Sequence, residues 1–171
     1  MGELEGWKHC PVCSAAVTPS GGQVECGECG FVTYAHSKPT ASAVVDDGDG
    51  RVLLSRRALE PFAGKWDVPG GFLEEGEHPE DCVRRELREE AGIGLVGLRL
   101  LGIWIDGYEY KSRVVATLNI YYAARAGDGT LEPADDVAEL RWFPPDGVPA
   151  EELAFGHIPD VLSAWRGPED A

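Results

Sequence analysis

Residues 70–93 read GGFLEEGEHPEDCVRRELREEAGI, and the rest of the chain is best interpreted outward from this stretch. Helix signals bracket its second half. Pro79 suits a first helical turn, Glu80 and Asp81 complement the positive end of the helix dipole, and Gly92 supplies a stop. They predict a helix from about His78 to Ala91, entered through an acidic loop, Phe72 to Glu77, with a tight turn at Pro69-Gly70-Gly71. Val83 and Leu87 lie one helical turn apart and give the helix an apolar stripe that can pack on a sheet. Glu86, Glu89 and Glu90 are related by i+3 and i+4 spacings, so they share an arc of about 100° on the helix and should face one point. Packed like charges repel, and a hard, oxygen-seeking cation such as Mg2+ would offset that while also holding phosphates. Glutamates on a helix are most often a solvated face. Taken alone, Glu89-Glu90 would be such a face.

On either side of this stretch the texture alternates between apolar runs and turn residues. Ala43 to Val45 and Arg51 to Ser55 read as a hairpin around the turn Asp46-Asp47-Gly48-Asp49-Gly50. Leu98 to Ile105, Arg113 to Ala124 and Val137 to Phe143 read as further strands, mostly buried. Pro144-Pro145 ends the last of them, and Ile158 to Trp165 has the pattern of a closing helix. Strands with interspersed helices indicate an α/β domain.

The first thirty residues are different. Cys10, Cys13, Cys26 and Cys29 form two C-x-x-C pairs with twelve residues between them, a spacing that can place four thiolates tetrahedrally around one structural Zn2+. This resembles a zinc ribbon over residues 8–34. The boundary near Ser37 to Thr40 predicts a ribbon at residues 1–38 and a larger domain at 39–171. Two disulfides or a redox C-x-x-C are the competing readings, and neither a secretion signal nor a βαβ context supports them. Four thiolates satisfy the ion, which leaves His9 and His36 as surface residues. Cys82 stands alone with no activating His nearby in sequence and reads as a small buried apolar residue.

Composition narrows the function further. The chain has 171 residues, 43% of them hydrophobic, and a formal net charge of -15. That charge opposes the Lys/Arg-driven attraction that nucleic acid and anionic membranes require. No apolar run approaches the ~20 residues of a membrane span, and the N-terminus lacks a signal-peptide pattern, so a cytoplasmic protein is expected. An acidic protein acting on an anionic phosphate compound needs a divalent metal between them.

Gly71, Glu77 and the run Arg85-Glu86-Leu87-Arg88-Glu89-Glu90-Ala91-Gly92-Ile93 match the Nudix box at every specified position, and the surrounding strand pattern extends the resemblance over roughly residues 40–166. The resemblance implies an αβα sandwich with a mixed sheet. It also implies a pyrophosphohydrolase that uses Mg2+ or Mn2+ to cleave a diphosphate linkage in a nucleotide derivative by attack of water on phosphorus. On this basis Glu86, Glu89 and Glu90 would hold the catalytic metal, Arg85 would orient Glu86, and Glu77 would brace the loop. The base that takes the proton varies within the family; the candidates here are Glu90, then Glu139 and Glu109. Gly70, Gly71, Arg56, Arg57 and Lys65 are candidate substrate contacts, the three cations being equally well explained as plain surface charge.

A ribbon followed by this box is also similar to NADH pyrophosphatases and to enzymes that remove nicotinamide-containing RNA caps. Their S-Q-P-W-P-F-P-x-S segment has no counterpart between Ile93 and Gly107. ADP-ribose and nucleotide sugars stay open as substrates. A binding module with an inert Nudix scaffold is the alternative function, and the intact glutamates oppose it. Residues 1–40 hold two lysines against four glutamates, which disfavours a phosphate-reading ribbon. An isomerase on the same fold would need a Cys and Glu pair that the sequence does not place. An exposed apolar edge, or the ribbon, offers a route to a homodimer.

Overall fold

The computed structural model describes residues 3–111 and 113–167, with the side chain of Glu109 outside the described set. The chain forms two compact units. One comprises Met1–Lys38 with Ile105–Thr117, and the other Pro39–Trp104 with Leu118–Ala171.

In the first unit, β1 (Gln23–Glu25) and β2 (Val32–Tyr34) form an antiparallel pair in which Gln23 faces Tyr34 and Glu25 faces Val32. Its two chain segments also meet along a groove lined by Glu3, Lys38, Arg113 and Val114 among others. Ile105 and Val114, both in the second segment, are 67% and 52% exposed.

The second unit is built on a seven-stranded mixed sheet. Its strands are β3 (Lys38–Asp46), β4 (Val52–Arg57), β5 (Trp66–Asp67), β6 (Gly70–Phe72), β7 (Ile93–Tyr110), β8 (Arg113–Gly129) and β9 (Val137–Phe143). The order is β5-β4-β3-β8-β7, with β6 paired to β3 and β9 to β4. Side chains alternate across each strand, and two cores result. Ala41, Ala43, Val45 and Leu53 pack with Val83, Leu87 and Ala91 of α1 (Pro79–Ala91) on one face. Val44, Val52, Leu54 and Trp66 pack with Ile158, Val161 and Leu162 of α2 (Ile158–Arg166) on the other. The expected αβα sandwich is therefore present.

The ends of α1 follow from its sequence. His78 caps it through Nδ1, which accepts the Glu80 N–H at 3.2 Å, and Pro79 follows as the first helical residue. Gly92 closes it with a left-handed φ of 70°, its N–H reaching the Arg88 carbonyl at 3.1 Å. Immediately beyond, β7 starts at Ile93, five residues earlier than the apolar run from Leu98 predicts.

The Pro69-Gly70-Gly71 segment departs from expectation. Gly70–Phe72 is not a turn but strand β6, with Gly70 opposite Ser42, Gly71 opposite Ala41 and Phe72 opposite Thr40. Glycine is required for that close pairing: a Cβ on Gly70, whose φ is 146°, would lie 2.4 Å from the Ala41 carbonyl oxygen. Among the described residues no helix is long and apolar enough to cross a membrane.

Candidate active site and metal centre

The four ribbon cysteines converge. Cys10 and Cys29 have their Sγ atoms 3.6 Å apart, as do Cys13 and Cys26, and one donor atom from each of the four lies within 4.8 Å of the others. Each pair sits on a tight knuckle, closed by Ser14 N–H to the Cys10 carbonyl and Gly30 N–H to the Cys26 carbonyl, both at 2.9 Å. A tetrahedral ion with Zn–S bonds of about 2.3 Å requires sulfurs about 3.8 Å apart. A disulfide would bring them to about 2.05 Å, and all five cysteines are free. The quartet fits a closed zinc centre. His9 and His36 stay exposed, the latter donating its backbone N–H to Glu3 at 3.1 Å.

In the second unit Arg85 organises the start of the helix. Its guanidinium donates to Glu77 through Nε at 2.9 Å and Nη2 at 3.0 Å, to Glu86 at 2.8 Å, to Glu89 at 3.0 Å and to the Phe72 carbonyl at 3.2 Å. Glu77 also accepts the Glu74 N–H at 2.9 Å, so it braces the loop. The hydrogen bond from Arg85, with help from the Glu74 N–H, holds the Glu77 carboxyl down at about 2. Cys82 is fully buried one turn before Glu86, its thiol facing the Gly71 and Phe72 carbonyls, and burial pushes it up to about 12. It is a packed thiol and not a nucleophile.

Glu90 occupies a different position from its two partners. It is 7% exposed and accepts the Gly70 N–H at 3.1 Å. Around it a narrow cleft is lined by Ser55, Arg57, Asp67, Gly70 and Asp136. Burial is the main cause that raises the Glu90 carboxyl to about 9, reinforced by the negative charges of Asp136 and Glu86 and opposed by the Gly70 N–H. Burial likewise raises Glu86, against the pull of Arg85, and Asp67, against the pull of Arg57 at 3.2 Å. Four acidic groups thus crowd one desolvated region with too little positive charge, the electrostatics that a divalent cation relieves.

The three box glutamates do not meet at one point as the helical arc alone implies. Among the described residues, the cysteines are the group of three or more ligating side chains whose donors gather within 4.8 Å. Arg85 holds Glu86 and the half-exposed Glu89, while Glu90 turns inward toward Gly70. Asp67 and Asp136 are the acids that complete the Glu90 cleft, and neither stands out in the sequence. Asp67 lies on β5 and Asp136 just before β9, so only the pairing of both strands with β4 brings them together.

Of the remaining candidates, Arg57 lines the cleft. Arg56 does not: it donates to the Gly64 carbonyl at 2.9 Å, pairs with Glu139 at 3.5 Å and lies over the Trp66 ring. Lys65 donates to the Glu151 carbonyl at 2.9 Å. Glu139 is held between Arg56 and Arg141, away from the Glu90 cleft. The side chain of Glu109 lies outside the described residues. Gly71 sits directly beneath Glu86: a Cβ there would lie 2.2 Å from its Oε1.

A family profile described as the NUDIX domain matches residues 36–162. The chain is 31% identical over 125 residues to an ADP-ribose pyrophosphatase of Methanocaldococcus jannaschii, covering 72% of this chain and 70% of that protein. It is 29% identical over 147 residues to a NAD-capped RNA hydrolase of Pseudomonas aeruginosa, covering 84% of this chain and 50% of that one. The chain therefore spans about half the length of the latter relative. A crystal structure of a NUDIX hydrolase from Nitrosomonas europaea superposes with a TM-score of 0.73 at 26% identity, covering 91% of this chain and 88% of that one.

Proposed function

The chain belongs to the Nudix family of pyrophosphohydrolases, and from that premise we propose that it hydrolyses the diphosphate linkage of a nucleoside diphosphate derivative of the ADP-ribose, NADH or nucleotide-sugar kind. The observation that carries the assignment of roles is the crowding of Glu90, Asp67 and Asp136 in the cleft at Gly70, with Glu86 over the adjacent Gly71. Glu86, Glu89 and Glu90 would hold Mg2+ or Mn2+ here. When bound, such a cation supplies neutralisation of the diphosphate and acidification of the attacking water.

The protein's own groups do the rest. Arg85 positions Glu86 and Glu89 through charge-assisted bonds. The Gly70 N–H orients Glu90, which is our first candidate to accept the proton of the water. Glu77 fixes Arg85, and Arg57, beside Asp67, supplies a cation in the cleft for a substrate phosphate. In this reading residues 1–38 form a zinc ribbon whose Zn2+ folds a segment too small to hold a core of its own, and residues 39–171 form the hydrolase domain. Val96, Leu100 and Ile103 on the edge strand β7 are each more than half exposed. They support a homodimer, which sedimentation would check.

The test is a panel of ADP-ribose, NADH, nucleotide sugars and nucleoside triphosphates assayed with Mg2+ or Mn2+, comparing native protein with Glu90→Gln. A base that contributes about 10²–10⁴-fold should be missed by at least that factor. Turnover retained in Glu90→Gln would overturn its role, and an absence of zinc on metal analysis would overturn the ribbon.

A further inference from the structure

The groove of the first unit plays no part in the hydrolytic roles. Its volume is about 670 Å³, and it is bordered by two runs of chain, residues 35–38 and 113–116, together with Glu3. Successive side chains of a strand point to opposite faces. All four residues 113–116 of β8 border the groove, so it runs along the edge of that strand and not across one face of it. β3 starts at Lys38 and neighbours β8 in the sheet. The groove therefore opens where the chain leading into β3 has not yet joined that pairing. At about 3.3 Å per residue, four residues of strand give a slot roughly 13 Å long.

The two runs differ in how their polar groups are used. Glu3 accepts the His36 N–H at 3.1 Å and a hydrogen bond from the Lys38 ammonium, so a carboxylate of the chain itself already serves the first run. Arg113 is exposed and has no hydrogen bond or ion pair among the described residues. Its neighbour Val114 is 52% exposed. A guanidinium beside open apolar side chains suits a carboxylate carried between apolar residues, and strand edges recruit extended peptides through main-chain hydrogen bonds. A phosphodiester chain would bring many charges to one such cation, against a net charge of -15.

We propose that the groove between residues 35–38 and 113–116 takes an extended acidic segment of a partner protein as an added strand. The segment's backbone lies along the edge of β8, one of its carboxylates meets Arg113, and an apolar side chain covers Val114. Glu3 is then a resident competitor, because its charge repels the incoming acid while it holds Lys38 and the His36 N–H. The binding rests on no residue of the acidic cleft and does not depend on the hydrolytic reading.

The experiment is fluorescence anisotropy of the full chain with a dye-labelled, end-blocked peptide Val-Glu-Val-Glu-Val, beside its Val-Gln-Val-Gln-Val and Val-Lys-Val-Lys-Val counterparts. The native protein should bind the Glu peptide most tightly and the Lys peptide least. Arg113→Gln should weaken the Glu peptide by about two- to fivefold, the range of an exposed ion pair, and leave the Gln peptide unchanged. Arg113→Lys keeps the charge and should retain binding. Glu3→Gln should strengthen the Glu peptide by a similar factor. Methylating the peptide's backbone nitrogens should weaken it by about fivefold or more, because an added strand needs those donors. The proposal is overturned if the Glu peptide does not bind at about 1 mM, if native protein and Arg113→Gln prefer Glu over Gln equally, or if the methylated peptide binds as well as the parent. An oligouridylate that binds more tightly than the Glu peptide would make the groove a nucleic-acid site. Self-association that disappears in Arg113→Gln would assign it to a second copy. Either result removes the partner segment.

Discussion

Replacing Gly71 by alanine should separate the fold from the chemistry. The new Cβ would lie 2.2 Å from Oε1, 2.4 Å from Cδ and 2.8 Å from Oε2 of Glu86. Ordinary contact begins at 3.4 Å, so the carboxylate must retreat by roughly 1 Å, forfeiting good contact with Arg85. The backbone raises no objection, since Gly71 has no left-handed φ. Alanine in a backbone it can adopt stabilises by about 0.4–1 kcal/mol, and the lost charge-assisted hydrogen bond costs about 1.5–3 kcal/mol. The net loss of roughly 1–2 kcal/mol corresponds to a fall of about 2–8 °C in Tm for a chain of this size.

The catalytic effect should be larger, because a 1 Å misplacement in a reacting constellation costs about 100-fold. Steady-state hydrolysis with saturating Mg2+, alongside differential scanning calorimetry, measures both. Gly70→Ala is the contrast. Its Cβ would meet the Ala41 carbonyl oxygen at 2.4 Å and the Ser42 Cα at 2.5 Å, on a φ of 146°. Those are backbone atoms that cannot swing away, so Gly70→Ala should unfold or fail to express. A folded Gly71→Ala with kcat within about threefold of native, where the misplacement argument demands about 100-fold, would refute the placement of Glu86 in the reaction.

Other outcomes follow from the same contacts. Arg85 holds the Glu77 carboxyl at about 2, below its ordinary 4.5, so the unfolded chain binds more protons between those values. The stabilisation is complete above about pH 4.5 and is lost as pH falls toward 2; Glu77→Gln should flatten that part of a Tm-against-pH curve, and an unchanged slope would remove Glu77 as the acid-sensitive brace. With its thiol pushed up to about 12, Cys82 has about one thiolate per ten thousand molecules at pH 8. Iodoacetamide with peptide mass mapping should therefore leave Cys82 unlabelled until guanidinium is added, and rapid native labelling would contradict its packing. Glu139 is engaged by Arg56 and Arg141 outside the cleft; Glu139→Gln should keep kcat within about threefold, whereas a general base would lose about 10²-fold or more.

Local signals are legible in the sequence wherever one stretch of chain contains its own cause. The helix Pro79–Ala91 and its cap at Gly92 can be read from Pro79, the first-turn acids and Gly92 alone. The cysteine knuckles can be read from their spacing, and Val137–Phe143 from its apolar ends and the prolines after it. What escapes reading depends on partners distant in sequence. Gly70–Phe72 looks like a turn because glycines mark turns more often than strands, and its pairing with Thr40 to Ser42 is invisible until β3 is placed. Asp67 and Asp136 look like ordinary acids, and they acquire meaning from the sheet that folds them over Glu90. The arc of Glu86, Glu89 and Glu90 is correct as geometry, yet side-chain direction is settled by Arg85 for two of them and by a backbone N–H for the third.

The compact unit that carries the cysteines is written in two pieces of chain, Met1–Lys38 and Ile105–Thr117. For anyone who wishes to transplant or discard the ribbon, a cut near Pro39 has to reckon with that second piece. It would strip Glu3 and Lys38 from the groove they share with Arg113 and Val114 and leave the hairpin end behind, with Ile105 and Val114 already open to water. Newly bared apolar surface on a strand end invites association and precipitation. A portable second unit has to shorten the β7–β8 hairpin in the same stroke, and a portable first unit has to carry Ile105–Thr117 with it, so the boundary that matters to an engineer lies in two places along the gene.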